Sequence, residues 1–145
     1  MIIRILPTQV PKLWEAIKAA AVQADEVRKE DYPAYLNGLL HSLLNDKSQC
    51  WVRLSDEKRL LGLAVTKVVI DKIIGDKSLV IRVLYSWNNV DDKEWQSDLL
   101  FVRDFAKHEE CKRISFESRN SRVWRIGELL GFKENLRTFT YKMEN

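Results

Sequence analysis

Residues 88–111 read NNVDDKEWQSDLLFVRDFAKHEEC and lie between two strand-like runs, where a phosphate-binding loop and its helix would stand. Such a loop needs glycines, because backbone without Cβ atoms lets N–H groups close on the anion, while the helix N-terminus adds its positive dipole end. This stretch contains no glycine. Its start carries four acids against Lys93: Asp91, Asp92, Glu94 and Asp98. The net charge of −3 over residues 91–98 favours an acid-capped helix start over a phosphate cradle.

A second candidate site is basic. Residues 112–125 carry five cations against Glu117, a net charge of +4: Lys112, Arg113, Arg119, Arg122 and Arg125. Cations neutralise phosphates and Trp124 could stack on a base, so a nucleic-acid or acidic-partner surface is one interpretation. The simpler one is a solvated helix face on which Arg125 pairs with Glu128 at i+3. If a partner binds here, we expect its contacts at Arg119, Arg122 and Arg125, with a protein favoured over nucleic acid.

The histidines and cysteines give no metal pattern. Neither His41 nor His108 has a ligand-type residue at metal-binding spacing, and we expect both to be helix residues without a catalytic role. Cys50 and Cys111 are far apart in sequence and form no CxxC pair. We expect reduced thiols, no disulfide and no metal site.

The composition predicts one folded domain. A chain of 145 residues, 46% of them hydrophobic, can build a single core over residues 1–145. The net charge of +3 does not demand nucleic acid. The apolar runs are far short of a membrane span, and the N-terminus lacks the pattern of a secretory signal. We therefore expect a soluble, intracellular protein that does not bind membranes.

Hydrophobic periodicity predicts the elements that position these residues. The predicted strands are 2–6, 49–54, 60–70, 77–87, 113–118 and 135–143. The predicted helices are 8–25, 32–46 with Asp31 as N-cap, one within 88–111, and 121–130 ended by Gly131. The order βαα-βββ-α-β-α-β predicts an α/β fold, with a mixed sheet covered by helices on both faces.

This order and the stretch NSRVWRIGELLGFK (120–133) resemble the GNAT superfamily of N-acetyltransferases. Asn120, Gly131 and Phe132 fall at the spacing of the family's late motif. The resemblance implies a GNAT-like, mostly antiparallel mixed sheet and transfer of an acetyl group from acetyl-CoA. Within the family the chain looks most similar to small, divergent GNAT-like proteins of tailed phages.

Two departures from the family pattern concern catalysis. The family binds the CoA pyrophosphate with Arg/Gln-x-x-Gly-x-Gly/Ala before the third helix, where this chain has Asp91, Glu94 and Gln96 at the three defined positions. A tyrosine of the fourth helix, often the general acid, would fall at Gly127. Strand 77–87 offers no carboxylate or histidine as a general base. Substitutes could come from Tyr85, Glu117 or Tyr141, and no spacing argument favours any of them.

The sequence therefore predicts a degenerate, non-catalytic GNAT-like protein without a cofactor, acting as a phage accessory or virion-associated component with a protein partner, in the host cytoplasm or the virion. The alternative is a divergent N-acetyltransferase that binds acetyl-CoA by main-chain pairing to strand 77–87. By the resemblance, aromatic rings should border the cofactor cleft and plug it or line a pocket. The candidate pocket residues are Tyr85, Trp87, Trp95, Asn120 and Trp124.

Overall fold

The computed structural model describes residues 1–143 of the chain. Within this range five strands and four α-helices follow one another in the predicted order as far as the last helix. The strands are β1 (Ile2–Ile5), β2 (Gln49–Leu54), β3 (Leu60–Ile70), β4 (Lys77–Ser86) and β5 (Arg113–Phe116). The helices are α1 (Val10–Ala24), α2 (Tyr32–Leu44), α3 (Asp92–His108) and α4 (Ser121–Leu129).

The strands form one sheet in the order β1-β2-β3-β4-β5. The pairs from β1 to β4 are antiparallel, and β4 and β5 are parallel. A parallel pair needs a crossover connection, which α3 provides. The parallel register ends with Ile81 opposite Phe116, whereas β4 continues to Ser86. The two strands therefore part beyond Ile81 and Phe116.

The same part of β4 contains a β-bulge. Val65 of β3 lies opposite Val83, but the next residue, Thr66, lies opposite Ile81. Arg82 is thus the extra residue on β4. A bulge increases the local twist and redirects side chains, and this one lies where β4 leaves β5.

Two apolar clusters hold helices against opposite faces of the sheet. One is built by α1, α2 and the sheet around Ile17, Leu43 and Val52. The other joins α3 to the sheet around Trp51 and Leu79. Helices therefore cover both faces of a mostly antiparallel sheet, as the element order predicted.

The side chain of the predicted N-cap of α2 does not cap the helix. Asp31 does occupy the N-cap position, but its side chain makes no capping hydrogen bond. Asp31 instead accepts a hydrogen bond from Arg28 Nε at 3.1 Å. A capping side chain needs an extended backbone at its own residue, whereas a short 3-10 turn, Lys29–Asp31, runs directly into α2 and keeps Asp31 helical.

The predicted closing strand, 135–143, is not formed in the single chain. These residues carry no strand pairing in the described range, and their side chains are exposed. Phe139 is 90% exposed and Tyr141 is 88% exposed. Alternation along the sequence predicted the strand, but a strand forms only against a partner edge, and among the described residues this segment pairs with none.

Candidate functional site

The start of α3 is closed by its own acids. Asp91 is the N-cap and accepts a hydrogen bond from the Glu94 N–H at 2.8 Å, while the Asp91 N–H donates to Glu94 Oε2 at 3.3 Å. This reciprocal pair is a capping box. The Trp95 N–H donates to the Asp91 carbonyl at 3.1 Å. Three main-chain donors at the helix start are therefore already engaged within the chain.

Arg53 of β2 binds these acids from the neighbouring sheet. Its Nε and Nη2 donate to Asp98 Oδ2 at 2.9 and 2.7 Å, and Nη2 also reaches the Glu94 carbonyl at 3.1 Å. Arg53 Nη1 lies 3.5 Å from Glu94 Oε2. The side chains of Arg53 and Asp98 are 12% and 17% exposed. This cation reduces the local charge of −3 counted over residues 91–98 to −2. Sequence reasoning missed Arg53; the one signal was a cation inside the apolar strand QCWVRL.

Burial raises the pKa of the Asp98 carboxyl, although its hydrogen bonds to Arg53 and the charge of that residue act in the opposite direction. Desolvation disfavours the charged form, and the paired cation recovers only part of that loss. Without Arg53, the pKa of the Asp98 carboxyl would therefore be raised further.

A cavity of about 100 Å³ lies where β4 and β5 part. Ligand pockets usually measure roughly 300–1,000 Å³, so this space suits a small group only. Of the five candidate pocket residues, Tyr85 and Trp95 line the cavity. Residues of β4, of α4 and at the end of β5 also line it, among them Leu84, Phe116, Glu117, Ile126 and Gly127.

The other three candidate pocket residues lie outside this wall. Trp87 packs edge-to-face on Tyr85, with ring centroids 4.9 Å apart, and its ring is partly exposed. Asn120 caps α4, where its Oδ1 accepts a hydrogen bond from the Arg122 N–H at 2.9 Å. Trp124 is half-exposed and its ring N–H donates to the Ser118 carbonyl.

Phe116 occupies the space above Gly127. A Cβ atom built on Gly127 would stand 2.4 Å from the Phe116 ring. The same ring packs edge-to-face against Phe132, with centroids 5.1 Å apart. A larger residue at position 127 must therefore displace Phe116 from its contact with Phe132.

No protein-family model and no curated protein matches this chain. Solved structures do. A putative acetyl transferase from Pyrococcus furiosus has a TM-score of 0.70 at 19% identity, over 99% of this chain and 100% of that one. Aminoglycoside 6'-N-acetyltransferase AAC(6')-Ih from Acinetobacter baumannii has a TM-score of 0.74 at 12% sequence identity. The match covers 100% of this chain and 98% of that one. A predicted acetyltransferase from Clostridium acetobutylicum, solved with acetyl-CoA, has a TM-score of 0.74 at 11% sequence identity. The match covers 98% of this chain and 95% of that one.

At these identities the likeness shows the fold. The chain has the GNAT-like fold. In this fold, the first turn of α3 stands at the loop where the resemblance expects the CoA pyrophosphate. The residues present there do not suit that group, because Asp91 and Glu94 are anionic and their side chains engage two of the main-chain donors of this turn.

A polar cluster lies on the α1 side of the GNAT-like sheet. Tyr35 donates its hydroxyl to Asp25 Oδ2 at 2.6 Å, and Arg82 Nη2 lies 3.7 Å from the same oxygen. Burial, with the hydrogen bond to Asp25, raises the pKa of the Tyr35 hydroxyl far above its ordinary value. Tyr85 donates to Gln23 Oε1 at 3.3 Å. Sequence reasoning missed Asp25 and Tyr35 because no local spacing joins them.

The three candidate partner arginines, Arg119, Arg122 and Arg125, are all exposed. Within residues 1–143 none of them makes an ion pair, and the predicted pair between Arg125 and Glu128 is absent. The two remaining cations of the basic stretch, Lys112 and Arg113, pair with Asp76 at 3.0 and 3.5 Å. Within the basic stretch 112–125, the exposed cations without an ion pair are therefore the three arginines around α4.

The remaining candidates are isolated. His41 contacts Asn45, with 3.2 Å between Nδ1 and Nδ2, and His108 ends α3. Cys50 and Cys111 are free, and burial raises the pKa of the Cys50 thiol to about 12. Over the described part of the chain no cluster of three His, Cys, Asp or Glu side chains could hold a metal. No helix among residues 1–143 has both the length and the apolar character needed to cross a membrane.

The contact between Phe116 and Gly127 predicts a change of sign in a mutational cycle. Gly127→Ala should destabilise the protein by about 1–2 kcal/mol, because displacement of a packed ring outweighs the ~1 kcal/mol gain in helix propensity. In a Phe116→Ala background the same change should stabilise. Urea unfolding of the four proteins measures this. Equal effects of Gly127→Ala in both backgrounds would disprove the contact.

Arg53 predicts a pH effect at Asp98. In Arg53→Met, the Asp98 pKa should rise further, because burial then acts without the cation. A carboxyl whose pKa is higher in the folded than in the unfolded protein binds its proton more tightly in the folded state. Its contribution to the stability of the fold is therefore present at low pH, and it is lost as the pH rises from the unfolded-state pKa to the folded-state pKa. NMR titration of the Asp98 carboxyl measures the pKa. Arg119→Met is the control and should leave it unchanged; an unchanged or lower value in Arg53→Met contradicts the assignment.

Proposed function

We propose that this protein is a non-catalytic GNAT-like protein that acts by binding a protein partner, as an accessory or virion-associated component of a tailed phage. The observation that carries the non-catalytic part is the start of α3. A diphosphate needs free main-chain donors and positive potential at that point, and this helix start offers Asp91 and Glu94 joined in a capping box.

The electrostatic cost is large enough to decide binding. Two like charges about 4 Å apart repel by roughly 4 kcal/mol at an effective dielectric near 20. Each 1.4 kcal/mol is tenfold in affinity, so one such contact offsets about three decades. Arg53 compensates one acid and is itself committed to Asp98 at 2.7 Å. The charge left around the helix start still opposes a pyrophosphate.

The interior of the cleft supports the same proposal. The cavity of about 100 Å³ is small, and Trp95 takes part of the space beside the helix start. Gly127 supplies no side-chain acid, and Phe116 fills the volume that a tyrosine there would need. Both the cofactor loop and the acid position are thus occupied by residues that serve packing and capping.

The second candidate is a divergent N-acetyltransferase that uses acetyl-CoA. One observation favours it: β4 runs on past its last pairing with β5, from Ile81 to Ser86, and leaves an open edge beside the cavity. An acyl-CoA could pair with that edge through main-chain hydrogen bonds. The solved structures that share the fold are acetyltransferases by name, and one was solved with acetyl-CoA.

Thermal unfolding with acetyl-CoA separates the two candidates. A ligand at about 100 times its dissociation constant adds roughly 2.7 kcal/mol of stability, a shift of several degrees. We expect no shift for the wild type. The triple variant Asp91→Gln, Glu94→Gly, Gln96→Gly has two new glycines and two acids fewer. We therefore expect acetyl-CoA to raise its melting temperature relative to the same variant without ligand. A clear shift or acetyl transfer by the wild type would reverse the proposal.

The partner surface is proposed at the exposed arginines of α4. Arg119, Arg122 and Arg125 are exposed and form no ion pair within the described residues, and such charge suits an acidic protein surface. Salt-dependent capture is the expected behaviour, because exposed charges are screened within about 10 Å at 0.1 M ionic strength.

This surface is tested by charge reversal. In Arg122→Glu/Arg125→Glu, capture of an acidic protein by the immobilised chain should fall at least tenfold with an unchanged melting temperature. The control Lys12→Glu/Lys29→Glu makes the same change of net charge on α1 and on the turn before α2, and should retain capture. Equal capture by both variants, or capture of nucleic acid alone, would rule out this surface as a protein site.

A further inference from the structure

The end of the β3–β4 hairpin projects beyond the neighbouring strand. β2 begins at Gln49, opposite Thr66, whereas β3 continues to Ile70. The last four residues of β3 extend about 13 Å past that point. Within residues 1–143 they have no strand on the β2 side. The segment 69–76, here called the hairpin tip, therefore stands at the free end of the hairpin.

The hairpin tip exposes aliphatic side chains. Val69 and Ile70 are about half-exposed, Ile74 is 64% exposed and Ile73 is 94% exposed. A single exposed apolar residue is ordinary, whereas a contiguous apolar patch marks a contact with another protein or with a membrane. These four residues fall within six consecutive positions, and they form such a patch.

The turn of the tip satisfies its main-chain donors within the chain. Asp71 Oδ1 accepts hydrogen bonds from the Ile73 and Ile74 N–H groups at 2.8 and 3.2 Å. The Gly75 N–H donates to the Asp71 carbonyl, and the Asp71 N–H donates to the Asp76 carbonyl, both at 2.8 Å. An unpaired N–H is costly in an apolar medium. With these four donors paired, the turn can leave water at little cost in hydrogen bonds.

The acids of the tip present no free charge. The Asp71 carboxylate is held in the turn, and the hydrogen bonds from the Ile73 and Ile74 N–H groups lower its pKa. Asp76 forms ion pairs with Lys112 at 3.0 Å and Arg113 at 3.5 Å. One carboxylate against two cations leaves an excess of positive charge beside the tip.

Free cations add to this excess. Lys67 and Lys72 are exposed and form no ion pair within residues 1–143. The net charge over residues 67–77 and 107–113 is +2, with Glu109 and Glu110 included. Positive charge beside an exposed apolar patch suits an anionic lipid surface, which attracts nearby lysine and arginine side chains.

We propose that the hairpin tip inserts into the surface of an anionic lipid bilayer, with Ile73 and Ile74 among the acyl chains and Lys72 at the headgroups. Lys72 favours a bilayer over an apolar groove of a protein. It lies between Ile70 and Ile73 in the sequence, so a groove that took the isoleucines would have to bury its charge. At a bilayer the lysine extends to the headgroups. The inference does not rest on the proposed function.

This contact needs no membrane span. The sequence predicted no membrane binding because its apolar runs are too short to cross a bilayer. Amphipathic helices that bind at the interface enter only about 5–10 Å into the boundary between headgroups and acyl chains. The tip extends about 13 Å past the start of β2, which is enough for such a depth. The proposal therefore replaces the expectation for surface contact alone.

Co-sedimentation with vesicles of equal parts phosphatidylcholine and phosphatidylglycerol at low salt tests the insertion. The wild type should bind, and it should bind vesicles of phosphatidylcholine alone at least tenfold more weakly. Ile73→Ser/Ile74→Ser should lose at least tenfold in affinity for the mixed vesicles with unchanged circular dichroism, because both side chains are exposed. The control Leu100→Ser/Phe101→Ser alters two exposed residues of α3 and should bind as the wild type does. No binding by the wild type, or equal binding by the two double variants, would overturn the proposal.

Quenching by lipids with brominated acyl chains locates the inserted residue. The difference in emission between Ile73→Trp and the wild type isolates the new ring from the chain's own five tryptophans. We expect the mixed vesicles to quench this difference. The matched variant Phe101→Trp, analysed in the same way, should not be quenched. An unquenched ring at position 73 would show that the tip stays in water and would contradict insertion.

A change at Lys72 separates a bilayer from a second copy of the chain. Lys72→Gln should weaken binding to the mixed vesicles about fivefold, whereas Lys12→Gln, on α1, should not. Sedimentation without lipid gives the oligomeric state of the same proteins. A dimer that is lost in Ile73→Ser/Ile74→Ser, together with a wild type that ignores vesicles, would assign the tip to a second copy and overturn the proposal.

Discussion

Parallel pairing of β5 with β4 over only four residues governs the rest of this molecule. The pairing requires α3 as a crossover, which places a helix N-terminus beside the end of β4. Its early end at Ile81 and Phe116 opens the cavity, and the ring of Phe116 then lies over Gly127. Because β5 is short and outermost, it also leaves an edge that the described chain does not cover.

By the family resemblance, an acyl-CoA would bind where β4 and β5 part, and the helix start beside this point is anionic in this chain. A helix N-terminus stabilises any nearby anion. Here the anions are side chains of the helix itself, Asp91 and Glu94, and Arg53 from the sheet neutralises part of their charge. The dipole and the cation thus stabilise α3 and its attachment to β2. Fold does not determine function, since these same positions can serve binding or packing according to the residues that occupy them.

The helices, the first five strands and the acid-capped start of α3 could be predicted from the sequence, because each depends on residues close in the chain. The capping box joins residues three apart. Asn120 was expected at the pocket and instead caps α4. Asp31 was the exception: the turn before α2 held its backbone helical and removed the cap. The role of Arg53 could not be predicted, because its partner Asp98 is 45 residues away.

The sequence alone determined the local chemistry: an anionic helix start without glycine, a glycine at the position where the family resemblance expects a tyrosine, and an alternating segment over residues 135–143. Tertiary structure decided what those residues meet. It set Arg53 against the acids, placed Phe116 over Gly127, joined Tyr35 to Asp25, and left the alternating segment without a strand to pair with. The reason is physical: backbone propensity and capping act over a few residues, whereas burial, ion pairing and sheet edges depend on segments that only folding brings together.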